Sequence, residues 1–426
     1  MNLIVKKDFK TLKGEINIPA DKSVSHRAVI FSSLANGKSV IKNFSNGQDP
    51  QSSLKICKAL GANIEQNGTN LTVKSNGLLK APKNQLNCGN SGTTIRLMAG
   101  ILAGQNFDSV LTGDESLSKR PMKRIIEPLK LMGANIESNN YHAPLKITKN
   151  KLHGIDYYSP IASAQVKSCI LLAGLYAEGK TTFKEIYTSR NHTEIMLKNM
   201  DANINIENGI ITIQKSELKP LEIDICGDIS SAAYFIVAAL IIPKSNIILK
   251  NIGINPTRAG ILEVVKQMNG NIEILNQREV CGELVADIRI EYSPDMTGTT
   301  IQGEIIPALI DEIPVISLLA TQCSGQTIIK DASDLKNKES DRIQTTVNEL
   351  KKLGAEIEQT PDGMIINGKT NLSGDTEVNS YKDHRLAMTL YVAGLICKQE
   401  ISIKDFEWVN ISFPEFLNLF GTLFYN

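Results

Sequence analysis

The 426-residue chain has almost no net charge: 46 Lys and Arg against 45 Asp and Glu leave +1 with histidine neutral. Bulk attraction to nucleic acid or to an acidic membrane needs a basic surplus, so neither partner is expected. Local basic clusters for a small anion are not excluded, because net charge does not report them. The chain also lacks any CxxC pair. Its seven cysteines, at 57, 88, 169, 226, 281, 323 and 397, are odd in number and scattered. Neither a zinc site nor a disulfide framework is indicated, no metal is expected, and a reducing cytoplasm fits. The opening MNLIVKKDFK has no apolar h-region, so no secretion signal is expected. The longest apolar run, 232–243, is too short to span a bilayer. With 42% hydrophobic residues, such a length divides most naturally into two domains of about 200 residues.

What is present is a repeat. The pattern L-x-x-L/M-G-A-x-I-E recurs as KALGANIE (58–65), KLMGANIE (130–137), KNMDANIN (198–205), KQMNGNIE (266–273) and KKLGAEIE (351–358), with a degraded sixth copy expected in NLFGTLF (418–424). The spacing is roughly 70 residues, that of a structural repeat. Each copy reads as an amphipathic helix end, a Gly or Asn stop, then a strand. In phase with it run strand-like segments such as GKSVIKNF (37–44), GKTTFKEI (179–186) and GQTIIKDA (325–332). The unit is about βαβαββ, and six units split most simply into three per domain. Several helices, among them 169–173 and 232–242, are apolar nearly all round and must be buried on every side. Helices inside each domain with sheets around them meet that demand; a linear solenoid is the competing arrangement.

The residues that point to chemistry lie where loops enter helices, where free N–H groups and the helix dipole favour anions. They are DKSVSHR (21–27), CGNSGTTIR (88–96), SKRPMKR (118–124), SAQVK (163–167), LIDEIP (309–314), KESDR (338–342) and KDHR (382–385). Pro121 is expected at the first position of a helix, and Ser163 as a cap. Each segment alone also reads as an ordinary cap or a solvated charge run. Together they place Lys and Arg at helix starts, where the dipole disfavours cations unless an anion neutralises them. That argues for one multi-anionic ligand site between two domains, with acids at hand for proton transfer. GLYAEGKT (174–181) matches the P-loop expression, but it closes an apolar helix and opens a strand, the wrong context for nucleotide phosphates.

With these segments in order, the chain resembles the enolpyruvyl transferase family in its EPSP synthase branch. RNHTE (190–194), NPTR (255–258) and SAQVK are similar to the class II members. The resemblance implies an α/β fold, a two-domain inside-out α/β barrel. Residues 20–226 would form one domain and 1–19 with 227–426 the other, with the active site in the cleft between them. It implies transfer of the enolpyruvyl group of phosphoenolpyruvate to the 5-hydroxyl of shikimate 3-phosphate, no cofactor, and a monomer. Lys22, Ser23, Arg27, Ser163, Gln165, Arg190, Asp311 and Lys338 match shikimate 3-phosphate positions. Lys22, Asn90, Gly92, Arg120, Gln165, Arg342 and Arg385 match phosphoenolpyruvate positions. Asp311 is the expected base and Glu339 the expected acid, with Lys22 assisting. Paired arginines suit a carboxylate and a phosphate.

One departure stands out. WVNISFP (408–414) has no lysine where many members of the family carry one. The class II motifs imply tolerance of glyphosate, while Gly92 implies room for it. The sister enzyme acting on UDP-N-acetylglucosamine usually carries a cysteine before the Arg-Pro pair, and GDESLSK (113–119) has none. RNA 3′-phosphate cyclase has related repeats but fits neither the charge balance nor DKSVSHR. A non-catalytic binding protein on the same scaffold would not need both Asp311 and Glu339.

Overall fold

A computed structural model of the chain describes residues 2–6, 8, 9 and 11–425. Outside that description lie residues 1, 7, 10 and 426, and with them parts of the MNLIVKKDFK segment and the outermost positions of the second expected domain. Within it, the repeated motif is a helix stop with a single hydrogen-bond geometry. Gly61, Gly133, Asp201, Asn269 and Gly354 all take a positive φ. Each donates its N–H to the carbonyl three residues back, and the next residue donates to the carbonyl five back: Ala62 to Cys57, Ala134 to Leu129, Ala202 to Leu197, Gly270 to Val265 and Ala355 to Leu350. This is the Schellman arrangement, which satisfies the last carbonyls of a helix and turns the chain into a strand. The sixth copy behaves differently. Gly421 lies inside the helix Phe416–Leu423, which passes directly into Phe424–Tyr425. Phe420 stacks on Phe235 at 4.3 Å and Phe416 packs on Phe413 at 5.5 Å, and this aromatic packing carries the helix through the glycine.

The chain divides into two units. The first comprises Ala20–Ile225 with Glu279–Glu283; the second comprises Met1–Pro19, Cys226–Arg278 and Leu284–Asn426. Each has its own hydrophobic core. In the first unit the helices Lys22–Leu34, Gly92–Ala103 and Ala164–Gly174 are buried on nearly every face beyond their first turn. In the second, Ile229–Ile241, Ile313–Gln322 and His384–Gly394 are the counterparts. A helix without a polar face has no alternative. Amphipathic helices such as Lys123–Leu131, Gly260–Gln267 and Arg342–Lys352 keep one polar side. No helix among the described residues is long and apolar enough to cross a membrane.

The sheets repeat one topology. Asn36–Lys42 pairs in parallel with Glu222–Asp224 and antiparallel with Asn70–Asn76, which continues to Asn63–Asn67. The same parallel pair plus antiparallel hairpin recurs around Ser109–Thr112, Lys180–Glu185 and Gly325–Ile329. Thr11–Asn17 lies parallel to Asn246–Gly253 in the second unit. The P-loop-like segment indeed runs from the helix Ala164–Gly174 into the strand Lys180–Glu185.

Two inner helices touch through Gly100. A Cβ there would sit 2.1 Å from the carbonyl oxygen of Cys169, so Gly92–Ala103 and Ala164–Gly174 can approach only because residue 100 has no side chain. Gly100→Ala is expected to destabilise the first unit by about 1–3 kcal/mol through overpacking, measured as a lower unfolding temperature. An unchanged transition would mean that the helices separate without cost.

Candidate functional site

The buried helices of the first unit are stitched together at their N-termini. Asp21 caps Lys22–Leu34, its Oδ1 accepting from Val24 N at 2.8 Å, and Ser91 caps Gly92–Ala103 by accepting from Thr94 N at 3.1 Å. His26 Nδ1 lies 2.7 Å from Ser53 Oγ, which lies 2.8 Å from Thr94 Oγ1. Arg27 is buried and donates from Nε to Thr193 Oγ1 at 2.7 Å, from Nη2 to Ser168 Oγ at 2.8 Å and from Nη1 to the Ser23 carbonyl at 3.0 Å. Arg96 Nη1 donates to Gln165 Oε1 at 2.5 Å, and Gln165 Nε2 donates to Thr93 Oγ1 at 3.0 Å. Lys22 Nζ meets Asp49 Oδ2 at 3.3 Å.

Arg120 joins the same end. Its Nη2 donates to Asn90 Oδ1 at 2.6 Å, and Asn90 Nδ2 donates to Asp114 Oδ2 at 2.8 Å. A Cβ on Gly92 would come within 2.9 Å of Arg96 Nη1 and 3.4 Å of Arg120 Nη1, so two guanidinium groups converge on the bare backbone of residue 92. The sequence-predicted Lys22, Ser23, Arg27, Asn90, Gly92, Arg120, Ser163 and Gln165 thus belong to one set of helix starts. Two expectations on local structure are corrected. Pro121 is not at the first helical position: the helix begins at Lys123 with Met122 as its cap residue. Arg120 N bonds to Leu117 O to close the short helix Glu115–Ser118, and Met122 N bonds to Tyr141 O. Ser163 occupies the cap position of Ala164–Gly174, but its side chain makes no cap hydrogen bond.

Burial, then the nearby charges of Lys22 and Arg27, hold the His26 pKa well below its ordinary 6.5. The unfolded chain therefore takes up a proton that the folded one refuses. Stability from this group is fully present above pH 6.5 and is lost as pH falls through that value toward the folded pKa. A His26→Asn variant should show a flatter loss of unfolding temperature below pH 6.5 than the parent; parallel curves would overturn this.

In the second unit the node is Arg342, the first residue of Arg342–Lys352 and fully buried. It donates from Nε to Asp383 Oδ2 at 2.7 Å, from Nη1 to Asp311 Oδ1 at 3.2 Å and from Nη2 to Glu339 Oε2 at 2.6 Å. Burial works against the Arg342 charge, but Asp383, Glu339 and Asp311 outweigh it and raise its pKa above the ordinary value. Burial likewise pushes the Asp383 carboxyl up, and Arg342 overrides it and holds the pKa low. Arg385 Nε lies 3.9 Å from Asp311 Oδ1, and its Nη1 lies 3.9 Å from Glu312 Oε1. Glu312 also accepts from Ser230 Oγ. Asp311, Glu339, Arg342 and Arg385 are therefore brought together. Lys338 forms a pair with Asp334 at 2.8 Å, one turn back. Near the segment without the expected lysine, Lys382 Nζ stands 5.7 Å above the Trp408 ring.

Sequence reading missed the partners that hold these groups: Asp49, Ser168, Thr193 and Glu312, and the buried Lys167 with its carboxylates. Asp383, Glu312, Lys167, Thr193 and Glu194 had a signal, since they lie inside the motifs KDHR, LIDEIP, SAQVK and RNHTE already singled out, but none of them was given a role there. Arrays of guanidinium and ammonium groups at helix starts bind multiply charged anions, and part-exposed carboxylates on a guanidinium can give and take protons.

The fold is similar to that of the enolpyruvyl transferase NikO from Streptomyces tendae, which matches 99% of this chain and 97% of its own with a TM-score of 0.80 at 15% identity. The EPSP synthase structure from Acinetobacter baumannii matches 100% of this chain and 98% of its own, with a TM-score of 0.89 and 40% identity. The family model for EPSP synthase (3-phosphoshikimate 1-carboxyvinyltransferase) matches residues 6–420. The 3-phosphoshikimate 1-carboxyvinyltransferase of Thermodesulfovibrio yellowstonii is 53% identical over 99% of this chain and 100% of its own, and that of Bacillus licheniformis 49% over 96% of each. The chain belongs to the EPSP synthase family.

Proposed function

We propose that the chain is a transferase of the shikimate pathway that moves the enolpyruvyl group of phosphoenolpyruvate onto the 5-hydroxyl of shikimate 3-phosphate. The observation that carries this is the joint hold of buried Arg342 on Asp311 and Glu339, in a chain of this family. Asp311 takes the hydroxyl proton as the oxygen bonds to C2 of phosphoenolpyruvate. Glu339, with Lys22, delivers a proton to the methylene carbon, which becomes a methyl group. The tetrahedral intermediate then loses a methyl proton and expels phosphate, restoring the double bond. Lys22, Arg120, Arg342 and Arg385, with Asn90, Gly92 and Gln165, hold phosphoenolpyruvate, and the cations offset the charge that gathers on the departing phosphate. Lys22, Ser23, Arg27, Ser163, Gln165, Arg190 and Lys338 hold shikimate 3-phosphate. The enzyme acts as a cytoplasmic monomer.

Phosphate release from phosphoenolpyruvate tests this. It should depend on shikimate 3-phosphate and be absent with UDP-N-acetylglucosamine. Release with the sugar nucleotide instead would reassign the acceptor. Release with neither, from folded protein, would leave a binding protein.

A further inference from the structure

Lys167 is fully buried, and an ammonium group has three N–H donors. All three find acceptors: Glu185 Oε1 at 2.9 Å, the Ser189 carbonyl at 2.9 Å and Glu194 Oε1 at 2.8 Å. Glu185 Oε1 also accepts from Ser189 N at 2.8 Å and Ser189 Oγ at 3.0 Å. The three acceptors of Lys167 thus lie at the start, near the middle and at the end of the segment 185–194. Arg190 lies between the second and the third. Apolar packing does not hold this segment, since Ile186 is 50% and Tyr187 37% exposed. Its order rests on polar contacts, the Lys167 node together with the pair of buried His192 Nδ1 and Glu283 Oε1 at 2.6 Å.

The node reaches further. Lys167 N donates to the Ser163 carbonyl at 3.0 Å, so it belongs to the helical turn that carries Ser163 and Gln165. Ser168, the next residue, and Thr193, the residue before Glu194, are 2.6 Å apart and both accept from Arg27. Asn90 and Arg120 are held differently, by Asp114 and Ser116. We infer that Lys167, with Glu185 and Glu194, is a positioning residue that sets Arg27, Ser163 and Arg190 in register for the phosphorylated acceptor and bears less on phosphoenolpyruvate, for which Gln165 alone of the assigned residues rides on the same turn. This rests on the function proposed above.

Removing Lys167 alone would bury two carboxylates with no counter-charge, so the first variant is the neutral triple Lys167→Met, Glu185→Gln, Glu194→Gln. The second is the conservative single Glu194→Gln, which leaves the pair of Lys167 with Glu185. For each folded variant, the Kd for shikimate 3-phosphate is measured by calorimetry without the second substrate, and the KM for phosphoenolpyruvate by phosphate release. The triple should weaken shikimate 3-phosphate at least tenfold and Glu194→Gln about threefold, while the KM for phosphoenolpyruvate changes by a smaller factor in each. An unaltered Kd in folded Glu194→Gln, or equal losses for both ligands, would overturn the inference. A parent protein that neither binds shikimate 3-phosphate nor turns over would instead refute the function beneath it.

Discussion

Arg342→Met should abolish turnover, lowering it roughly a thousandfold or more, and should cost the second unit about 3–5 kcal/mol of stability, because it leaves buried negative charge uncompensated. Asp383 is fully buried and directly paired with Arg342 Nε, and the same guanidinium bonds Asp311 and Glu339. Once the guanidinium is gone, Asp383 must be protonated or stay buried as an anion, and the two part-exposed carboxylates lose their common anchor. Arg342→Lys should recover part of the stability and little of the activity. An ammonium is a point charge and cannot reproduce the planar fork that reaches three separate carboxylates. Unfolding temperatures and kcat for the two variants check this; a fully active Arg342→Lys would show that charge alone suffices.

Glu339→Gln and Asp311→Asn should keep the fold and lose the chemistry. An amide has nearly the shape of the carboxylate and can still accept from Arg342, at 2.6 Å for residue 339 and 3.2 Å for residue 311. It cannot exchange a proton at catalytic pH. General acid–base catalysis contributes about 10²–10⁴-fold, so kcat should fall in that range for each variant while unfolding temperature moves little. The double variant should lose less than the product of the single losses, because the two groups share one guanidinium and act in one proton-transfer sequence. Loss of shikimate 3-phosphate binding in Glu339→Gln, with residual turnover at saturation unchanged, would assign Glu339 to binding rather than to proton transfer.

Much of this was readable in the residues. Period and punctuation revealed the helix stops, since only glycine, or Asn and Asp at a cost, takes the left-handed turn that ends these helices. The all-apolar stretches required helices buried on every face. Basic residues at helix starts, against the dipole, marked the ends where Arg27 and Arg342 are buried in hydrogen-bond networks. These are local properties, legible because each depends on a few neighbouring residues. Local reading failed where a distant contact outweighed local preference. NLFGTLF did not stop at Gly421 because Phe235, far away in the chain, packs on Phe420. Pro121 did not open a helix: the first carbonyl to accept within it is that of Met122, from Ile126 N, while Met122 N bonds to the distant Tyr141 O. The partners of the functional cations were the least legible of all. Asp383 is 41 residues from Arg342, Thr193 is 166 from Arg27, and Glu185 and Glu194 look like ordinary acids until a single buried lysine meets both. By itself the sequence determined which residues carry charge and where five of the six repeated helices stop. Only the tertiary structure decided which charges face one another, because burial and pairing are set by segments the chain brings together from far apart.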